Sequence, residues 1–191
     1  IAMKLLLRWM MLAIALIATA GFAQTPAITI TDDAGKTISL SQKPARIVSL
    51  SPGATELLFA AGAGDRIVGT VIGADAPDAA KKIERLGDAN ALKYERLKAL
   101  KPQVIVVWRD MTHELVLESL QKLRLPIYQV SLRNFDDMPG SIRRLGQLAG
   151  TETAAETAAR QVEARIASLP KRPDAKVTAT NPALFFMMWD V

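Results

Sequence analysis

Three polar residues near the middle of the chain carry side chains that could bind a metal ion. Asp110, His113 and Glu114 lie close together in sequence, and carboxylate and imidazole groups are common metal ligands. The chain has one His and no Cys, so no second imidazole or thiolate can complete such a site. If Thr112 caps a helix here, His113 and Glu114 point in different directions, which favours solvated side chains. The alternative is that His113 is a single axial ligand to the metal of a bound cofactor.

Ser51 is the candidate nucleophile, because it lies at a predicted strand-to-helix turn, as hydrolase nucleophiles do. The Gly-x-Ser-x-Gly motif is absent, since Ser49 stands where its first glycine belongs. A catalytic triad would also require His113, from another segment, to approach Ser51. A simpler interpretation makes Ser51 the N-cap of a helix that begins at Pro52. The N-terminus of that helix could attract a phosphate or carboxylate group of a ligand.

Trp108 and Arg109 end an apolar segment and are candidate ligand contacts. An indole offers a broad flat surface to a ring system, and a guanidinium can pair with anionic groups. Packing of Trp108 in the core is the alternative. Glu95 is equally open to two interpretations, since a glutamate on a helix surface usually serves only solubility.

These candidates lie at the ends of predicted strands. Four short apolar segments without polar alternation are separated by helical segments, at residues 46–50, 66–70, 104–108 and 126–130. This pattern predicts an α/β fold with a parallel sheet covered on both faces. Ligands of such sheets bind at the carboxyl ends of the strands. We therefore expect the site in the loops that follow the strands, at 51–53, 71–74, 108–111 and 131–133, which include Pro52, Gly53 and Gly73.

The other segments predict the domain organisation. Alternating residues around 32–35 predict a hairpin within 24–45, and the ligand-binding lobe follows over 46–150. A helix with a narrow apolar stripe then runs from a Thr151 cap to Leu169 as a stiff connector. The stripe consists of Ala155, Ala159, Val162, Ile166 and Leu169. Residues 170–191 contain a Pro-rich stretch and the apolar segment 183–189, which we interpret as the start of a second lobe that is largely missing.

The first 23 residues have the layout of a secretory signal. Lys4 and Arg8 precede an uncharged run of twelve residues, and the small residues Gly21 and Ala23 follow. Spanning a bilayer takes about 20 residues, so we expect cleavage near Ala23 and a periplasmic location. Without Cys, the chain can carry neither a lipid on an N-terminal cysteine nor a disulfide.

The charge balance gives little reason to expect a nucleic-acid partner. Two of the 24 basic residues lie in the predicted signal, which leaves 22 against 19 acidic residues. Basic and acidic side chains are interspersed, as is typical of a solvated surface.

The segment Arg46–Thr70, RIVSLSPGATELLFAAGAGDRIVGT, resembles the opening of the periplasmic cobalamin-binding proteins of ABC importers. The similarity covers about residues 46–169 and identifies the chain as a member of the wider family, which includes iron-siderophore and haem receptors. Its further motifs are Lys82-Ile83-Glu84, Glu95-Arg96-Leu97, Ala99–Pro102 and Val104–Arg109.

The resemblance implies a Rossmann-like lobe joined to a second lobe by a rigid helix, about 153–169, with the ligand in the cleft between them. In the cobalamin branch, a tryptophan at the position of Trp108 contacts the ligand, and a glutamate at the position of Glu95 docks onto an arginine of the permease. Aromatic residues that this branch carries in two cleft loops are replaced here by Gly73 and Ala89.

The function implied by this resemblance is binding without chemistry. A monomeric receptor would capture cobalamin or a related corrinoid, or else haem or a ferric siderophore, and deliver it to an ABC importer permease. ATP would be hydrolysed by other subunits, and the stiff helix would permit only modest closure. The alternative from another class is a small periplasmic hydrolase that uses Ser51.

Overall fold

The computed structural model describes residues 28–88 and 91–169. The predicted signal segment, Ala89, the Pro-rich stretch and the predicted strand at 183–189 lie outside these residues. The helices and strands are β1 Ile28–Thr31, β2 Thr37–Leu40, β3 Ile47–Ser49, α1 Pro52–Ala60, β4 Ile67–Gly69, α2 Tyr94–Ala99, β5 Val104–Trp108, α3 Glu114–Gln121, β6 Ile127–Val130, α4 Met138–Ala149 and α5 Glu152–Ala167.

Strands β3 to β6 form a parallel sheet in the order β4-β3-β5-β6. Successive residues of β5 face opposite sides of this sheet, and each side has its own apolar core. Val104 and Val106 belong to one core, whereas Ile105 and Val107 belong to the other, and all four are fully buried. The prediction of an α/β fold with a parallel sheet covered on both faces is therefore confirmed.

Helices cover the two faces unequally. The larger core receives Leu58 from α1, Leu145 from α4 and Ala155 from α5. The smaller core receives Leu97 from α2 and Leu120 from α3. Within residues 28–88 and 91–169, no helix combines the length and apolar character that crossing a bilayer requires.

The predicted hairpin is formed by β1 and β2, which pair antiparallel. Asp32 Oδ1 accepts hydrogen bonds from Ala34 N at 3.0 Å and Lys36 N at 2.7 Å and so shapes the turn. The turn also pairs with the edge of the sheet, because Asp33 N donates to Gln129 O at 3.1 Å and Gln129 N donates to Asp32 Oδ2 at 3.1 Å. The hairpin thus packs as part of the lobe, and its apolar face enters the larger core.

Helix α5 begins where it was predicted, but its first turn is held differently. Thr151 occupies the N-cap position, yet its hydroxyl donates to Ala61 O at 2.6 Å at the end of α1. A Cβ at Gly146 would overlap the Cβ of Ala155, so α4 and α5 pack closely because Gly146 has no side chain. The helix ends at Ala167. Leu169, the last predicted stripe residue, lies beyond it and is 52% exposed, so its predicted packing on a neighbouring face is wrong.

The predicted capping role of Thr112 is also wrong. Helix α3 begins at Glu114 with His113 in the N-cap position. The Thr112 hydroxyl instead donates to Trp108 O at 2.7 Å and closes the short turn Arg109–Met111. Thr112 lies one residue before the N-cap, and its hydroxyl bonds to the end of β5 and not to the first turn of α3.

Candidate ligand-binding site

The loops after the four parallel strands lie side by side along one rim of the sheet. A Cβ at Gly73, in the loop after β4, would be 3.9 Å from Pro52 Cγ in the loop after β3. Ser131 Oγ, after β6, donates to Asp110 Oδ2, after β5, at 2.9 Å. Since the carboxyl ends of parallel strands share an edge, the structure brings the predicted site segments into one continuous surface.

Trp108 joins the two central loops of this rim. Its indole is half-buried and packs against the larger core. A Cβ at Gly53 would be 2.8 Å from Trp108 Cζ3, so the ring lies directly against the first turn of α1. Trp108 is therefore on the same rim as Ser51, with one part of the ring packed and another open to solvent.

A buried group of hydroxyls fixes the first turn of α1 to the ends of β3 and β4. Thr55 Oγ1 is 2.9 Å from Ser49 Oγ, 2.8 Å from Ser51 O and 2.8 Å from Thr70 Oγ1. Ser51 Oγ accepts from Ala54 N at 3.4 Å, as predicted for an N-cap. Ser51 is only 6% exposed, which suits a capping residue and disfavours a nucleophile that must reach a substrate.

Large apolar side chains are exposed along the same rim. Ile72 follows β4, Met111 follows β5 and Phe135 follows β6, with exposures of 64%, 73% and 70%. Leu115 is also 71% exposed, but it lies in helix α3 and not in one of these loops, so it is not part of the row. Isolated exposed apolar residues are common, but a row of them at one functional edge is typical of a binding surface. These residues could not be predicted from the sequence, because apolar character alone does not distinguish a rim residue from a core residue.

An open groove of about 820 Å³ runs between Trp108, the loop after β6 and the end of α5. Its apolar walls include Leu132, Met138 and Ile166, and its polar edge includes Arg133. A volume of this size is ordinary for a small-molecule site. Among the predicted site residues, Trp108 lines this groove, whereas Ser51, Pro52, Gly53, Gly73 and Arg109 belong to the adjoining part of the rim.

The acidic and imidazole residues near Trp108 do not converge. Across the part of the chain that the structure describes, no three His, Asp or Glu side chains come together as a metal site. Asp110 accepts from Ser131, and His113 is exposed ahead of α3. His113 as an axial ligand to the metal of a bound molecule stays a prediction.

Glu95 lies in the first turn of α2, and its side chain is 89% exposed. Its carboxylate is 2.9 Å from Lys98 Nζ, an exposed pair that contributes little to stability. Helix α2 ends near the start of β3, where Arg46 Nε donates to Leu100 O. Its first turn, with Glu95, is therefore the end that lies nearer the carboxyl rim.

A buried carboxylate next to the rim was not found from the sequence. The Asp33 side chain is 1% exposed and accepts from Arg144 Nε at 2.7 Å and Ser141 Oγ at 2.6 Å. Tyr128 OH also donates to it, at 3.3 Å. Burial of the Tyr128 phenol, followed by the nearby Asp33 charge, raises the pKa of Tyr128. These residues are far apart in the chain, so no local motif indicates the cluster.

Comparison with known proteins identifies the family. A family model described as periplasmic binding protein matches residues 47–190. The chain belongs to this family.

Individual periplasmic binding proteins resemble a large part of the chain. The vitamin B12-binding protein of Pectobacterium atrosepticum is 34% identical over 140 residues, which are 73% of this chain and 50% of the relative. The crystal structure of the periplasmic vitamin B12-binding protein BtuF of Vibrio cholerae matches with a TM-score of 0.62 and 29% identity, covering 65% of this chain and 49% of that one.

A periplasmic haem-binding protein of Roseiflexus, RhuT, matches with a TM-score of 0.56 and 29% identity, over 64% of this chain and 47% of that one. The chain thus spans about half the length of the relatives it matches. These relatives are binding proteins and not enzymes. The family match confirms the expectation of a binding protein, and the buried capping position of Ser51 disfavours a hydrolase that uses this residue.

Proposed function

We propose that this periplasmic binding protein captures cobalamin or a related corrinoid at the carboxyl rim of its sheet. The observation that carries the proposal is the row of exposed apolar side chains beside the half-open indole of Trp108. Leaving such groups in water is unfavourable, and a ligand with a broad apolar face would remove them from it. The names of the vitamin B12-binding relatives support a corrinoid as that ligand.

The rim also provides polar contacts for the periphery of such a molecule. Arg109 and Arg133 are exposed at the ends of β5 and β6, and guanidinium groups pair well with phosphate and carboxylate oxygens. The groove is open on one side. Since the relatives are about twice as long as the matched region, we propose that a second lobe of the full-length protein covers the ligand and that α5 leads towards it.

Delivery to an ABC importer permease is the second part of the proposal. Glu95 is a suitable docking residue, because its carboxylate is exposed at the rim end of α2. The receptor would act as a periplasmic monomer after removal of its signal near Ala23, while other subunits hydrolyse ATP. Charge complementarity of this kind mainly governs the rate and orientation of association.

Haem is the alternative ligand, with a ferric siderophore as a further member of the same class. The similarity to a haem-binding protein favours haem, and the exposed imidazole of His113, in the segment that follows Trp108 in the sequence, offers an axial ligand. Gly73 and Ala89 stand in place of two aromatic residues of the cobalamin branch, which weakens the case for cobalamin itself.

Side-by-side calorimetric titrations of the full-length protein with cyanocobalamin, haem and a ferric siderophore test the ligand proposal. Saturable one-to-one binding of cyanocobalamin, tighter than that of the other two, is the expected result. Tight binding of haem or of the siderophore, without heat from cyanocobalamin, would transfer the assignment to that ligand. Absence of binding by all three would remove the metal-chelate proposal.

Uptake measurements in cells test the transport proposal. Glu95→Arg should lower uptake of the bound ligand at least tenfold while leaving the ligand affinity of the purified protein unchanged, because a reversed charge would repel the permease arginine. Glu118→Arg, the same reversal at an exposed position in the middle of α3, is the control and should transport normally. Unimpaired uptake by the Glu95 variant, at equal protein levels, would refute the docking role.

A further inference from the structure

We infer that the loop Leu132–Met138, after β6, is a second ligand-contacting wall and that Phe135 is its main apolar contact. This inference rests on the proposed function and adds a residue that determines specificity. Trp108 and most residues of this loop line the same groove. Phe135 lines the groove while 70% of its surface is exposed.

The turn that carries Phe135 is fixed by reciprocal hydrogen bonds. Asp137 Oδ2 accepts from Arg133 N at 2.9 Å and from Asn134 N at 3.0 Å. The Asn134 side chain in turn accepts from the backbone of Asp137, which completes a capping box. The hydrogen bonds from Asn134 and Arg133 lower the pKa of Asp137, so its carboxylate is charged and bonded at neutral pH.

Such a turn presents the ring to the groove at little entropic cost. A mobile exposed phenylalanine loses side-chain and backbone freedom when a ligand immobilises it, whereas a ring on a fixed turn loses less. Aromatic side chains on rigid supports are accordingly favoured contacts in binding sites. The apolar face of the ligand ring would pack on Phe135, Met138 and Ile166, and its polar edge would meet Arg133.

The chain offers a matched control for this proposal. Leu115 is as exposed as Phe135, at 71%, and stands near the same rim. It does not line the groove. If exposed apolar surface near the rim were sufficient for binding, the two residues would contribute equally. If the groove holds the ligand, only Phe135 contributes.

The test compares dissociation constants of wild type, Phe135→Ala and Leu115→Ala, measured on the full-length protein with cyanocobalamin and with haem. For the probe that binds wild type, Phe135→Ala should weaken binding on the order of tenfold, the loss expected for a partly buried aromatic contact. Leu115→Ala should stay within about twofold, as substitutions outside a contact usually do. Both variants should keep the wild-type Tm, since neither the Phe135 ring nor the Leu115 side chain is packed in the core.

Two further variants separate contact from structure. Phe135→Tyr should restore most of the affinity because it keeps the ring, and Asp137→Ala should weaken binding by loosening the turn even though Phe135 is retained. Wild-type affinity in Phe135→Ala would overturn the inference alone and leave the proposed function standing. Failure of wild type to bind either probe would overturn both.

Discussion

The indole of Trp108 lies against the backbone of Gly53, so close that a Cβ on Gly53 would be 2.8 Å from Cζ3 of the ring. Real Cβ contacts are not that short, so any side chain at this position must displace the ring. The absence of a side chain at Gly53 therefore sets how deeply the indole sits in the rim. This links a glycine in the first turn of α1 to the shape of the ligand surface after β5.

Gly53→Ala should move the Trp108 ring outwards and weaken ligand binding several-fold. The free energy of unfolding should change by less than about 1 kcal/mol, because the half-buried ring can yield and alanine favours a helix over glycine. The ¹⁹F spectrum of 5-fluorotryptophan-labelled protein reports the ring, with the Trp108 resonance assigned by its loss in Trp108→Phe. Gly140→Ala is the control, since its nearest atom is the flexible Arg144 Nη1 at 3.3 Å. An unmoved Trp108 resonance in Gly53→Ala would refute the link.

Thr55→Val should destabilise the protein by about 1–3 kcal/mol. The substitution removes a buried hydroxyl that forms hydrogen bonds with Ser49, Ser51 and Thr70. Denaturant unfolding measures the change. Thr157→Val is the matched control, since that hydroxyl is exposed and bonds only along its own helix; its effect should stay within about 0.5 kcal/mol. Equal effects of the two substitutions would show that the hydroxyl group at the rim has no special structural role.

Arg144→Met should lower the free energy of unfolding by about 2 kcal/mol. The variant leaves the Asp33 carboxylate, 1% exposed, without its cationic partner. The cost is smaller than for a fully buried pair because Arg144 is itself 38% exposed and Ser141 and Tyr128 still donate to Asp33. Adding Asp33→Asn to the same protein should recover part of the loss, measured as a double-mutant cycle. Purely additive effects would contradict a direct coupling of the two side chains.

The contribution of Glu156 to stability should disappear in acid. Hydrogen bonds from Arg143 and then Arg160 lower the pKa of Glu156 from 4.5 to about 2. A carboxylate whose folded-state pKa is depressed stabilises the fold fully above its ordinary pKa, and this stabilisation is lost as pH falls towards the folded-state value. The Tm difference between wild type and Glu156→Gln should therefore be constant above about pH 5 and shrink between about pH 4.5 and 2. A difference that grows in acid would contradict this assignment.

Much of the scaffold could be predicted because its signals are local. The strand at 104–108 is predicted from its apolar composition alone, and the helix start is predicted from the Ser51-Pro52 pair alone. Both are present as predicted. The hydrogen-bond partners of Thr112 and Thr151 are harder to predict, since the hydroxyl of a threonine at a helix start can bond to its own helix or to another segment. Both hydroxyls bond elsewhere, to Trp108 O and to Ala61 O.

The parts of the site that escaped prediction depend on distant contacts. Asp33 and Arg144 are 111 positions apart and meet only when the hairpin turn packs on β6 and α4. The exposure of Phe135 could not be predicted for the same reason, because whether an aromatic ring is buried or exposed depends on which helices and strands cover it. Trp108 could be placed on the rim because it ends the apolar segment 104–108, but neither this pattern nor the family resemblance indicated the groove beside Phe135.

The ring of Trp108 itself gives the most direct test of the central claim that the rim of this sheet binds the ligand. The full-length protein labelled with 5-fluorotryptophan is titrated with cyanocobalamin, or with haem if calorimetry selects haem. We predict that the Trp108 resonance of the free protein gives way to that of the bound protein in proportion to occupancy. The change should be complete when one equivalent of ligand is bound. A Trp108 resonance that stays in place while calorimetry shows the protein saturated would mean that the ligand binds elsewhere.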